Sequence, residues 1–313
     1  MLTDSDNLTA LDCIQQLKTE ANVMERQKGR SSLSLTEPAG LVTTFRVGLA
    51  VLGSGLLVLM LGFGFRLDWA TRLWRWDDER MSFIFLASIA AAVAAPAFWV
   101  AMTGELAAWA GVALNGTVVG TLASVYLVSR RVRDLEPDAL PDLIIFVTLT
   151  LVAFAVFRVT HPFPIRDDRA MPRFVRGWFT VFAAILIASG IALLVQVEHI
   201  FPWNLEPEVS TLFGCFFLGA ATFFLYALWR DRWVIAAGAL WAFLAYDIVL
   251  AIPYVKLLVD GDEGVEGLYG SSSGGGEVNE LSLALYLLVI GVSTLVALFA
   301  FFVHPATRVW RKA

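Results

Sequence analysis

The chain has 313 residues, of which 58% are hydrophobic and only 16% charged, where soluble domains hold roughly 45–50% and 25%. A water-soluble core has no use for that much apolar surface, so an ordinary globular fold is excluded. The formal net charge of −5 comes with no basic stripe, which excludes nucleic acid as a partner.

Residues 1–43 are polar, yet Leu8, Leu11, Ile14, Leu17, Ala21 and Met24 recur every three or four positions, the spacing of an amphipathic helix. It is expected on the cytoplasmic side, lying on the membrane or capping the bundle; a partly ordered tail is the alternative. The first forty residues lack the apolar core of a signal peptide, so insertion is expected to begin at the first span. Eight apolar runs follow: Thr44–Phe65, Ser82–Met102, Ala107–Ser129, Leu143–Thr160, Gly177–Val197, Val209–Trp229, Val234–Leu257 and Leu281–Val303. Each is near the ~20 residues a helix needs to cross a bilayer, and backbone groups in lipid must be satisfied within the segment. The expected fold class is therefore an all-α polytopic membrane helical bundle with eight transmembrane helices, its first partner the lipid bilayer.

The links Thr103-Gly104-Glu105 and Arg230-Asp231-Arg232 are so short that each must close a tight helical hairpin. Asp260–Glu280 holds six acids and the run Gly270-Ser271-Ser272-Ser273-Gly274-Gly275-Gly276, which reads as a flexible loop. Its Asp260-Gly261-Asp262-Glu263-Gly264 lacks the later ligands of a calcium loop. Cys13 precedes the first span and Cys215 lies inside the sixth, so they are not expected to pair.

The spans read as a tandem 4+4 parallel repeat. At an offset of 129, Trp74 meets Trp203, Glu79 meets Glu208, and Ala91-Ala92 meets Ala220-Ala221. Spans four and eight both end in His-Pro, at His161-Pro162 and His304-Pro305, and spans one and five share Ser54-Gly55-Leu56 and Ser189-Gly190-Ile191. Four spans per unit is an even number, so both copies keep one orientation, related by an axis along the membrane normal. The expected layout is residues 1–43 as a cytoplasmic segment, 44–162 as the first repeat, 163–176 as a linker, 177–305 as the second repeat and 306–313 as a tail.

The block Phe201-Pro202-Trp203-Asn204-Leu205-Glu206-Pro207, followed by Gly214 and Gly219-Ala220-Ala221, resembles a pattern in uncharacterised prokaryotic multispanning membrane proteins. There it runs roughly Trp-Pro-Trp-x-Leu-Thr-Pro before a Gly/Ala-rich helix. Here Phe201 replaces the first Trp and Glu206 the Thr. The likeness covers some thirty residues and implies a bacterial polytopic membrane protein, with no activity attached.

Asp247 is the one carboxylate deep in a span, and an ionisable residue at such depth is a functional candidate for ligand binding or proton or ion coupling. No Lys or Arg shares its depth, so it either lines a watery cavity or is protonated and bonded to a neighbouring Tyr, Ser or carbonyl. Asn115, near the middle of span three, falls by the repeat on Leu244, three residues before Asp247 and so on the same helix face. The two are expected either to form a central polar spot or, for Asn115, to serve as glue beside the Gly-x-x-x-Gly of Gly116 and Gly120. His161 and His304 form a symmetric pair that could ligate a metal or haem, against the simpler role of closing a helix before proline. Trp69, Trp74, Trp76, Trp203, Trp229 and Trp233 are expected in an interfacial belt.

No nucleophile elbow, phosphate loop, zinc-protease helix or dinucleotide fingerprint occurs, and no catalytic residue and no cofactor is implied. Three functions stay open. The first is transport or binding of a small molecule or ion at the interface of the repeats. The second is a non-catalytic subunit or assembly factor of a larger membrane complex, with a homo-oligomer also open. The third, an intramembrane enzyme, is disfavoured because no acid, base or metal set converges. With both termini in the cytoplasm, the inner segments carry 15 Lys and Arg and the outer segments eight, the bias of a cell-membrane protein so oriented. In a Cys13→Ser, Cys215→Ser background, a cysteine replacing Ser272 should react with an impermeant thiol reagent added to intact cells, and one replacing Ala306 should not; the opposite pattern reverses the orientation.

Overall fold

The computed structural model describes residues 39–76, 80–132, 140–269 and 279–307. The N-terminal helical pattern, Cys13, Glu79, the glycine–serine run and the last six residues lie outside these. The chain divides into two compact units, residues 1–44 and 45–313. Of the first unit only residues 39–44 are described, a helical turn in which the Thr44 hydroxyl donates to the Gly40 carbonyl.

The chain is 83% helical, with no strand among the described residues. Eight described helices are long and apolar enough to cross a membrane, and the fold is that of a polytopic membrane helical bundle. They are α1 (Ala39–Gly64), α2 (Arg80–Thr103), α3 (Trp109–Val132), α4 (Leu140–Thr160), α5 (Arg173–Leu194), α6 (Pro207–Arg230), α7 (Trp233–Tyr269) and α8 (Glu280–Leu298). A one-turn helix, Asp68–Thr71, follows α1, and a π turn, Phe299–Val303, closes α8. The proximal end of the bundle carries Arg46, Glu105, the 161–172 connection and His304; the distal end carries residues 65–76, the 195–206 connection and the start of α8.

Burial sorts the helices into two rings. The apolar stretches of α2, α6 and α7 are 67%, 67% and 61% buried, those of α1, α4, α5 and α8 between 17% and 33%. With α3, the first three form an inner core and the other four face outward. The most extensive pairings are α3 with α4, α5 with α6, α2 with α7 and α3 with α6. In lipid such contacts rest on close packing rather than on expulsion of water, so small residues mark them. Gly116 and Gly120 of α3 meet Ala153 and the Phe146–Thr150 backbone of α4, and Gly190 and Gly214 place α5 against α6. On another face of α3, Gly219 of α6 leaves room for Val119 and Asn115.

The termini are tied by polar groups. Arg46 Nε donates to the Ala101 carbonyl at 2.7 Å and Nη2 to Met102 at 3.2 Å, satisfying carbonyls at the end of α2 that have no helical partner. At the distal end Arg130 pairs with Glu208 at 2.7 Å, joining the end of α3 to the first turn of α6.

Two expectations need correction. Residues 260–269 continue α7 as helix where composition suggested a loop, because the helix already begun below needs no new nucleus. The tryptophans do not form one belt: Trp203 and Trp233 are buried core residues, while Trp69 and Trp229 are exposed.

An added methyl group separates close crossings from open ones. At Gly120 a Cβ would sit 2.8 Å from the Phe146 carbonyl oxygen, and at Gly55 nothing lies within 4 Å. Gly120→Ala should lower stability in detergent by ~1–3 kcal/mol through overpacking. Gly55→Ala should be neutral or stabilising, by up to about 1 kcal/mol. Thermal unfolding of the two variants beside wild type checks both.

Candidate functional site

The inner helices do not close completely. A cavity of about 540 Å³ lies between α2, α3, α5, α6, α7 and α8, within the ~300–1,000 Å³ of ordinary small-molecule sites. Its walls are Ile89 and Val93 of α2, Val112 of α3, Phe182 and Leu186 of α5, the pairs Phe216-Phe217 and Phe223-Phe224 of α6, Phe243 of α7, and Val289 and Ile290 of α8. The two pairs on α6 are seven residues apart, so both point the same way. Ala92, Ala220 and Ala242 supply the room. Polar groups are few: Asn115, Ser189, Tyr246 and Tyr286 inside, His199 and Ser282 at the distal rim. No Asp, Glu, Lys or Arg lines it among the described residues.

Asn115 is on this wall, at the crossing with Gly219. Its Oδ1 is buried and accepts no hydrogen bond, a costly state for an amide oxygen. The Tyr286 hydroxyl is likewise buried without a partner; its ring stands 5.4 Å from that of Phe201 and 5.6 Å from that of Tyr254.

Asp247 is elsewhere. It is 3% exposed and turns from the cavity toward α8. Ser293 Oγ and Thr294 Oγ1 both donate to its Oδ2, at 2.7 and 2.8 Å. No described Lys or Arg forms an ion pair with it. Asp247 thus ties α7 to α8 behind the wall that Tyr246, Val289 and Ile290 present. Asn115 and Asp247 share no partner, and the expected central polar spot is not assembled. The close contact with α4 is made by Gly116 and Gly120, while Asn115 serves the α6 side.

The two histidines share the proximal end and nothing else. His161 Nδ1 lies 3.2 Å from the Tyr226 hydroxyl, its ring stacks on Trp229 at 5.6 Å, and its carbonyl accepts from Arg230. His304 lies 3.2 Å from Thr307 Oγ1, which donates to the Ala300 carbonyl and closes the π turn. No group of three or more His, Cys, Asp or Glu able to hold a metal occurs among the described residues. Nearby, Glu105 is buried and accepts from the Arg166 amide. Desolvation raises its pKa against the opposing pull of that bond and the Arg166 charge.

Sequence reasoning found Asn115 but missed the aromatic wall. Its one signal was the repeated Phe-Phe in α6; apolar residues in a membrane span do not by themselves declare which face is empty.

No family model matches the chain, and neither a curated protein nor a solved structure matches it.

Asp247→Asn keeps an acceptor for both hydroxyls and should unfold near the wild-type temperature. Asp247→Leu strands the Thr294 hydroxyl and should cost about 1–3 kcal/mol. If both unfold like wild type, the Asp247 link does not hold α7 to α8. For His161, burial and then the charges of Arg230 and Arg158 lower the pKa from the ordinary 6.5. The unfolded chain takes up that proton more readily, so stability is full above 6.5 and falls as pH drops through the lower folded value. His161→Gln should therefore shrink the loss in unfolding temperature between about pH 7.5 and about pH 5.

Proposed function

We propose that this membrane protein binds, and in that capacity transports, an apolar or amphipathic small molecule in the cavity between two four-helix halves. The observation that carries the reading is the cavity itself: bounded by inner and outer helices, walled by phenylalanine and aliphatic side chains, and given direction by a few polar groups. An ion fits it poorly, since among the described residues no carboxylate, ammonium or guanidinium faces the space. In this reading Asn115 and Tyr286 are ligand contacts and Asp247 is a strut holding the α7–α8 wall.

Reciprocal contacts support the two-half arrangement. Trp203, before α6, donates to Ser82 at the start of α2, while the ring of Trp74, before α2, lies 6.2 Å from Phe213 near the start of α6. The α2–α7 and α3–α6 pairings likewise exchange under a swap of halves. The Phe201–Pro207 block, which suggested the prokaryotic family, then acts as a plug under the distal end of the ligand space. Phe201 packs on Phe85, Phe213 and Tyr286, and Asn279 donates to the Pro202 carbonyl. The proximal arginines keep that end on the cytoplasmic side of a cell membrane.

A small benzophenone added from water to the protein in nanodiscs should, on irradiation, attach to inner-wall residues such as Val112, Ala220 and Ala242. Filling the space with Ala92→Phe or Ala220→Phe should suppress that labelling. Attachment confined to outward residues such as Leu151 and Val181 in wild type would remove the case for a binding cavity.

A further inference from the structure

The cavity has a side door. Ile185 of α5 and Leu285 and Leu288 of α8 line it, yet these side chains belong to residues 37%, 54% and 61% exposed. A residue can do both only where the cavity reaches the outer surface, and here that is the seam between α5 and α8. These helices touch far less than α5 touches α6. Leu285 and Leu288 lie five and eight residues into α8, about 8 and 12 Å from its start at ~1.5 Å per residue. The opening therefore stands at the depth of lipid tails rather than at the water.

The interior is graded along the same direction. At the distal rim the Ser282 hydroxyl donates to the His199 carbonyl, and the His199 backbone is held at a φ of 61°, a left-handed conformation uncommon outside glycine. Ser282 in that rim is two residues, about half a helical turn, from the start of α8. The partnerless Tyr286 hydroxyl follows, and below it the walls, Asn115 and Tyr246 apart, are hydrocarbon as far as Phe224, 17 residues into α6. From Ser282 to Phe224 the space descends about 20 Å, at ~1.5 Å per residue. A polar top, a hydroxyl just beneath and a long, mostly apolar shaft opening sideways into the bilayer match a molecule already in the membrane.

We propose that the cavity takes up an acyl chain of a membrane lipid sideways through the α5–α8 seam, with the lipid's polar head held at the His199–Ser282 rim. This rests on the cavity being a binding site and names its ligand class. Each methylene moved into such a shaft leaves one apolar surrounding for another, so affinity comes from close packing and from the polar contacts at the rim rather than from expulsion of water.

The test uses the full chain in phosphatidylcholine vesicles, with a minor fraction of the lipid carrying a diazirine at mid-chain. After irradiation and peptide mapping, adducts are expected on the inner residues Ile89, Val112 and Ala220 as well as on outward Leu151 and Val181. In Ile185→Trp, Leu288→Trp, which crowds the seam from the lipid side, inner adducts should fall several-fold and outward ones persist, the latter serving as the check that the variant is inserted. Inner adducts unchanged in that variant would overturn lateral entry. Wild-type lipid adducts confined to outward residues, while the water-added benzophenone still reaches the inner wall, would overturn the lipid and leave the cavity a site for another small molecule. Failure of both probes to reach the inner wall would overturn the lipid and the binding site together.

Discussion

The approach of α6 to α3 at Gly219 is the constraint on which the rest of the bundle depends. A side chain there would run into Val119 and Asn115, so only a glycine lets the two inner helices meet at that height. The contact continues toward the proximal end, where Gly111 of α3 meets Phe223 and Tyr226. The phenylalanine pairs of α6 flank the crossing, at 216–217 and 223–224, and line the cavity beside it. The same crossing holds α3 with one flank on α6, leaving Gly116 and Gly120 to receive α4. One small residue thus fixes the contact between α3 and α6 beside the cavity.

The fold was legible because the bilayer imposes a coarse rule: a segment that crosses must be long, apolar and helical. All eight runs in the chain obeyed it, to within a few residues at each end. The site was much less legible, for a related reason. In water, polarity marks the outside of a helix; in lipid, outward and inward faces are equally apolar, so Phe182 and Val181 look alike in sequence although one lines the cavity and the other faces out. Only the exceptions could be read. Asn115 and Asp247 stood out as polar residues in apolar runs, but polarity alone did not say that one faces a cavity and the other the hydroxyls of α8. The tryptophans failed in the same way. Trp203 was assigned to the membrane surface by its place at a span end, yet its indole reaches across to Ser82 and belongs to the core.

Polar groups in this bundle are spent on holding helix ends and seams rather than on chemistry. Arg46 satisfies the end of α2, Arg130 and Glu208 join α3 to α6, and Arg75 and Asp142 meet at 3.0 Å beside the start of α4. Asp247 does the same at mid-bundle with two hydroxyls. Such contacts fix register between helices that lipid would otherwise let slide, and they leave the cavity wall itself nearly free of charge.

α7 runs for 37 residues, about 55 Å at ~1.5 Å per residue, against a hydrocarbon layer of about 30 Å. Its apolar part ends at Val259, and the helix runs on to Tyr269 through a stretch whose sequence holds Asp260, Asp262, Glu263 and Glu266. Pro253 lies inside this helix, and its ring nitrogen cannot donate to the Val249 carbonyl. The helix therefore lacks one backbone hydrogen bond nearly two turns beyond Asp247 and Tyr246. α7 bends more easily there than elsewhere along its length, and any such bend would tilt the Tyr246 side of the cavity wall.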